Sequence, residues 1–82
     1  MHTMTLLTQQ NCTWCEQAKN ILQDVSTTHS LVIEEVELAS TRGRELAVRY
    51  GVVFAPGILV DGQLFSFGRL SEKKLRRWLA KN

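Results

Sequence analysis

Cys12-Thr13-Trp14-Cys15 is the stretch on which the fold turns. These are the only two cysteines in a chain of 82 residues, whose remaining sulfur is confined to Met1 and Met4. At this spacing two thiols on the first turn of one helix can close a disulfide with each other. The same spacing serves zinc and other metal sites. The flanking sequence decides which chemistry applies.

Upstream, Thr3-Met4-Thr5-Leu6-Leu7-Thr8 is short, β-leaning and followed by the polar Gln9-Gln10-Asn11. This predicts a strand running into a loop. From Thr13 the period changes: Trp14, Ala18, Ile21, Leu22 and Val25 recur at helical spacing, opposite Glu16, Lys19, Gln23 and Asp24. Asn11 is a candidate N-cap, which would make Cys12 the first helical residue, while Thr13 with Glu16 also fits a capping box. Leu31–Leu38 predicts a second strand, apolar at its entry and then alternating charge with Val36 and Leu38. Ser40 or Thr41 opens a second helix, with Leu46, Ala47 and Tyr50 inward and Gly51 as its stop.

Further along, Ile58-Leu59-Val60 and Leu64-Phe65-Ser66-Phe67 flank Asp61-Gly62, a strong two-residue hairpin signal. Ser71 caps a final helix with Glu72 in its first turn, Leu75, Trp78 and Leu79 in its buried stripe, and Lys81 near its negative end. The order βαβαββα predicts an α/β fold: a four-stranded mixed sheet with three helices, the first βαβ unit parallel and right-handed. Residues 1–82 are expected to form a single domain, since the length leaves no room for a second core.

Composition narrows the function classes. Hydrophobic residues at 44% and charged residues at 22% describe an ordinary globular chain. A net charge of +2 is too small to argue for nucleic acid. No apolar run approaches the ~20 residues that span a bilayer. Met1-His2-Thr3-Met4 offers no positive n-region of a signal peptide, and two cysteines cannot build the disulfide framework of a small secreted domain. A reducing cytoplasm and a monomer are the expectation. A structural zinc needs four ligands, and only His2 and His29 stand beside the cysteines. His2 reads as frayed terminus and His29 as a residue suited to a helix C-terminus, so neither a metal nor a cofactor is expected. The basic set Lys73, Lys74, Arg76, Arg77 and Lys81 reads first as a solvated helix face and second as a contact for RNA or an acidic partner, and Arg42, Arg44 and Arg49 carry no assigned role.

Three segments in order resemble the thioredoxin superfamily, near its small glutaredoxin-sized members. They are Cys12-Thr13-Trp14-Cys15 after strand one, Tyr50-Gly51-Val52-Val53-Phe54-Ala55-Pro56, and Gly68-Arg69-Leu70-Ser71-Glu72-Lys73-Lys74-Leu75. The resemblance runs from about Met4 to Leu79 and implies a thioredoxin-like fold. It also implies that Pro56, the only proline, follows a cis peptide bond and stands over the thiols. The backbone of Ala55 would pair with an extended substrate, and Thr13 and Trp14 would contact partner proteins, although Trp14, in register with Ala18 and Ile21, also reads as a core residue. Phe54 reads either as core or as part of that docking surface.

At a helix N-terminus unpaired backbone N–H groups and the helix dipole favour a thiolate. Cys12 is therefore the expected nucleophile and the more buried Cys15 the resolving thiol. Three departures from the family pattern bear on the reductant and the mechanism. Thr13 stands where a proline is usual. Gln9 stands where glutathione-using glutaredoxins usually carry Lys or Arg, and Gly68-Arg69 replaces their Gly-Gly. Strand one also lacks the buried Asp that larger thioredoxins use as a proton acceptor.

The implied function is a small dithiol–disulfide oxidoreductase acting on disulfide-containing client proteins and recycled by a flavin-dependent reductase of the thioredoxin-reductase type. The alternatives are a glutathione-dependent glutaredoxin, a metal or iron–sulfur module on the same fold, and an adaptor with inert cysteines.

Overall fold

The computed structural model describes all residues from Met1 to Asn82. Its elements are β1 (His2–Thr8), α1 (Thr13–Ser26), β2 (Leu31–Glu37), α2 (Thr41–Tyr50), β3 (Gly57–Val60), β4 (Gln63–Phe67) and α3 (Glu72–Lys81). The sheet runs β2-β1-β3-β4, with β1 and β2 parallel and the other two pairings antiparallel. The predicted order and the mixed four-stranded sheet are both present, and the fold is thioredoxin-like.

β1 lies inside the sheet and is covered on both faces, so it must be apolar at successive positions rather than alternate ones. Met4 and Leu6 enter the larger core, and Leu7 enters the smaller one. Thr5, the polar member of that run, donates its hydroxyl to Glu34 Oε1 at 3.2 Å. The larger core joins β1 and β3 to Ala18, Leu22 and Val25 of α1 and to Leu75 and Leu79 of α3. The smaller core, Leu7 with Val36 and Val52, lies under α2, whose Leu46, Ala47 and Tyr50 pack on it half-buried. Helices α1 and α3 thus share one face of the sheet and α2 covers the other.

Helix α2 shows how closely the layers approach. Ser40 is its N-cap, with its Oγ accepting from Gly43 N–H at 3.0 Å. A Cβ on Gly43 would lie 1.9 Å from the carbonyl oxygen of Glu37, so only glycine fits between this helix and the end of β2. Arg42 binds Glu34 through two bonds of 3.1 and 2.9 Å, and this guanidinium holds the Glu34 carboxyl below its ordinary value. Arg42 therefore ties α2 to β2.

Two terminal expectations are corrected. His2 is not frayed: its Nδ1 meets Asp61 Oδ2 at 2.6 Å, and its ring packs edge-on against Trp78 with centroids 5.1 Å apart. Asp61 Oδ1 also accepts from Thr3 N–H at 2.9 Å; the His2 bond first and this amide second keep the Asp61 carboxyl below its ordinary value. Asp61 can do this because it sits in the hairpin turn, where it and Gly62 take φ of 51° and 79°. Trp78 is half-buried at the margin of the larger core instead of inside it.

Candidate active site

Strand register assembles the site. Leu7 of β1 faces Gly57 of β3, and Gly57 in turn faces Phe67 of β4. The loop after β1, the loop before β3 and the loop after β4 therefore emerge at one end of the sheet. These loops carry Cys12, Ala55-Pro56 and Gly68-Arg69, the three segments singled out in the sequence.

The first correction within the site concerns its cap. Asn11 does not cap α1; it takes a φ of 54° in the turn before it. Cys12 is itself the N-cap, in an extended backbone conformation, and its Sγ accepts from Cys15 N–H at 3.1 Å. Its carbonyl accepts from Glu16 N–H at 3.1 Å, the first bond of the helix. Sulfur here occupies the position that a Ser or Asp oxygen takes at most helix starts. Cys12 is half-exposed, whereas Cys15 is 2% exposed. The two are joined as a disulfide with a Cα–Cα separation of 5.2 Å. Helical geometry explains the asymmetry, because Cys15 falls on the stripe of Ala18, Leu22 and Val25 and points into the core.

Trp14 leaves that stripe and is 48% exposed, with Thr13 also at the surface. A polar concavity of about 390 Å³ opens beside Cys12, lined by Asn11, Cys12, Thr13 and Glu16. Across the rim, the Ala55–Pro56 bond is cis and both residues are buried. Neither the N–H nor the C=O of Ala55 takes part in an internal hydrogen bond. Pro56 O accepts from Gly68 N–H at 2.8 Å, which ties the proline loop to the end of β4.

Phe54, which the sequence left open between core and surface, is 53% exposed. It rests over Gly68, where a Cβ would come within 3.0 Å of its ring, so the φ of 84° and the close approach both call for glycine. Phe67 packs edge-to-face on Phe54 with centroids 5.3 Å apart and is itself 39% exposed. Sequence reasoning missed Phe67 as a rim residue. Its alternation within β4 marked only a strand position, and the pairing with Phe54 requires the hairpin to be folded back.

No three His, Cys, Asp or Glu side chains gather in a way that would hold a metal ion. No helix is long and apolar enough to cross a membrane.

The family model of the thioredoxin domain matches residues 2–80. Among solved structures, a thioredoxin-like protein from Clostridium perfringens superposes with a TM-score of 0.79 at 16% identity, covering 99% of this chain and 70% of its own. A mutant thioredoxin from Halobacterium salinarum superposes with a TM-score of 0.74 at 15% identity, covering 98% and 73% respectively. At such identities these two show a shared fold. No curated protein matches the sequence. With the profile spanning nearly every residue and the cysteine pair closed at the helix start, the chain belongs to the thioredoxin domain family, as a redox-active thioredoxin-like protein of the thiol–disulfide oxidoreductase kind.

Proposed function

We propose that this chain, acting as a single domain over residues 1–82, reduces disulfides in client proteins and is recycled by a flavin-dependent reductase of the thioredoxin-reductase type. The observation that carries this reading is the cap itself. Cys12 Sγ is half-exposed and receives the Cys15 N–H at the positive end of α1, while Cys15 waits buried one turn in. An N–H donated to sulfur and the helix dipole both stabilise an anion there, and thiols so placed titrate in the range of roughly 3.5–7.5 instead of near 8.5.

In the reduced protein the Cys12 thiolate attacks one sulfur of a client disulfide. A Cys12–client bond forms, the client S–S bond breaks, and the departing client thiolate takes up a proton. Cys15 then loses its proton to solvent and attacks Cys12 Sγ. The mixed disulfide breaks, the second client thiolate leaves and is protonated, and Cys12–Cys15 closes. Two electrons have passed from the protein to the client.

Trp14 and Thr13 on one side and Ala55-Pro56 on the other are the client contacts in this reading. The unpaired backbone of Ala55 supports an extended client segment hydrogen-bonding there. Gln9, together with Arg69 after Gly68, leaves little that would select glutathione. A reducing cytoplasm is the compartment that suits such a carrier.

The test is NADPH-coupled insulin reduction, with thioredoxin reductase in one arm and glutathione plus its reductase in the other. Turnover in the first arm that vanishes with Cys12→Ser is the expected result. Faster turnover in the glutathione arm would reassign the reductant. Absence of turnover in both arms, with Cys12 alkylating no faster than a free cysteine, would remove the enzymatic reading.

A further inference from the structure

Away from the disulfide end, a depression of about 470 Å³ runs between β4 and α3. One wall and floor are aromatic, made by Phe65 and Phe67 of β4 and Trp78 of α3. The other wall is cationic: Lys74, Arg77 and Lys81 follow at helical spacing along one face of α3, and Arg69 closes the end nearest the active site. None of these four cations joins any of the four ion pairs in the protein, and no carboxylate lines the groove. Arg76, which faces away, is instead paired with Glu72 at 2.8 Å. The groove therefore concentrates four positive charges in a chain whose whole net charge is +2, so the rest of the surface is net negative. Read along the sequence, Trp78 is the one aromatic among the α3 cations. The hairpin adds Phe65 and Phe67 from β4.

Two more observations bear on the occupant. β4 is an edge strand, paired only with β3, so its outward backbone N–H and C=O groups meet no other strand. The pairing is irregular between Ile58 and Leu59, with Ile58 opposite Ser66 and Leu59 opposite Leu64; Phe65 is the extra residue. This bulge leaves both Phe65 and Ser66 on the groove wall. Ser66 Oγ is buried there without a hydrogen-bond partner. The groove is also continuous with the active site, because Phe67 packs on Phe54 two residues before Pro56.

We propose that this groove docks an acidic, extended segment of the partner polypeptide, which adds to the free edge of β4 and sets its alternate side chains, carboxylates, against Lys74, Arg77 and Lys81. This rests on the reading above that the partners are proteins. Side chains of an added strand alternate between the two faces of a sheet, and only the α3 side of this edge carries the cationic wall. The partner's signature is thus an acid at every second position beside its disulfide-bearing segment. The opposite edge of the sheet, β2, carries Glu34, Glu35 and Glu37 and repels such a segment. A free edge strand favours polypeptide over nucleic acid, which has no strand backbone to pair with it.

The experiment titrates the oxidised full chain, in which no thiol exchange can occur, with three probes. These are a short peptide with Glu at alternate positions, a peptide of the same composition with its Glu residues grouped, and a single-stranded oligonucleotide. The expected result is saturable binding of the alternating peptide with new amide-exchange protection on β4 and a shift of the Trp78 indole. Binding should weaken about tenfold or more in a Lys74→Glu/Arg77→Glu variant shown by circular dichroism to be folded. The milder Lys81→Gln variant gives a smaller loss in the same direction.

Equal binding of the grouped peptide without β4 protection would overturn the proposal, as would tighter binding of the oligonucleotide. Concentration-dependent self-association abolished by the charge reversal would give the groove to the acidic β2 edge of a second copy, and would also overturn it. Insulin reduction by the unaltered chain is scored separately. Peptide binding without turnover sinks only the enzymatic reading, and turnover without peptide binding sinks only this one.

Discussion

Helices α1 and α3 start at the same end of the sheet and on the same face, and their first turns use the same device with different atoms. α3 is capped by a hydroxyl, Ser71 Oγ accepting from Lys74 N–H at 3.2 Å. α1 is capped by a thiol sulfur, Cys12 Sγ accepting from Cys15 N–H at 3.1 Å. Each carries an acid in its first turn, yet Glu72 is paired with Arg76 while Glu16 has no ion-pair partner and lines the concavity beside Cys12. The surroundings differ too: exposed Trp14 marks the start of α1, and Arg69 and Lys74 flank that of α3. The geometry that opens α3 on a hydroxyl oxygen opens α1 on a thiol sulfur. In the function proposed above, reactivity comes from which atom occupies the cap.

The comparison breaks most decisively at Cys12. A Cys12→Ser variant keeps a capping oxygen, so circular dichroism and melting should match the reduced wild type while insulin reduction falls to background. Residual turnover would mean that Cys12 is not the attacking group.

The third helix start supplies a steric contrast. Gly43→Ala places a Cβ on the Glu37 carbonyl, and denaturant titration should show a loss of about 3 kcal/mol. Unchanged stability would show that α2 can slide without cost. Ser71→Ala removes a cap whose only duty is structural. A loss of about 1 kcal/mol is expected with the thiol chemistry unaltered, and a change in the alkylation rate of Cys12 would show the two starts to be coupled.

Smaller still is the effect of Glu16. Its carboxylate opposes a thiolate one turn away, so Glu16→Gln should speed iodoacetamide alkylation of Cys12 at neutral pH by about twofold. No change would mean that solvent screens the pair completely.

Acidification gives the least difference between the two starts, because the lowered carboxylates lie elsewhere. Glu34 is held below its ordinary value of 4.5 first by its hydrogen bond to Arg42. A carboxyl lowered on folding adds stability above its unfolded value, and that stability is lost as pH falls through the folded value. Melting temperature should therefore drop below the ordinary glutamate range. Glu34→Gln should flatten part of that drop, and an equally steep drop in the variant would exclude this pair as a source.

Much of the fold was legible because its signals are local. Helix periodicity, Ser40 and Ser71 as caps, Gly51 as a stop and Asp61-Gly62 as a hairpin each depend on interactions within a few residues. They placed all seven elements to within a residue or two. The misreading of His2 has the opposite property, and that of Asn11 turns on a backbone conformation. His2 finds Asp61 at a separation of 59 residues, and nothing near position 2 announces that partner. Asn11 has the right chemistry for a cap, but the chain turns through positive φ there and hands the role to Cys12.

By itself, then, the sequence determined the order of elements, the thiol pair at a helix start and the inward turn of the second thiol, since spacing along one helix settles which side chain faces the core. Only the tertiary structure decided that Phe54, Phe67 and Gly68 form one rim, and that the α3 cations meet the aromatics of β4 along a free edge. Those contacts join segments whose distance in space is set by strand register and layer packing. Neither quantity is carried by any short stretch of the chain.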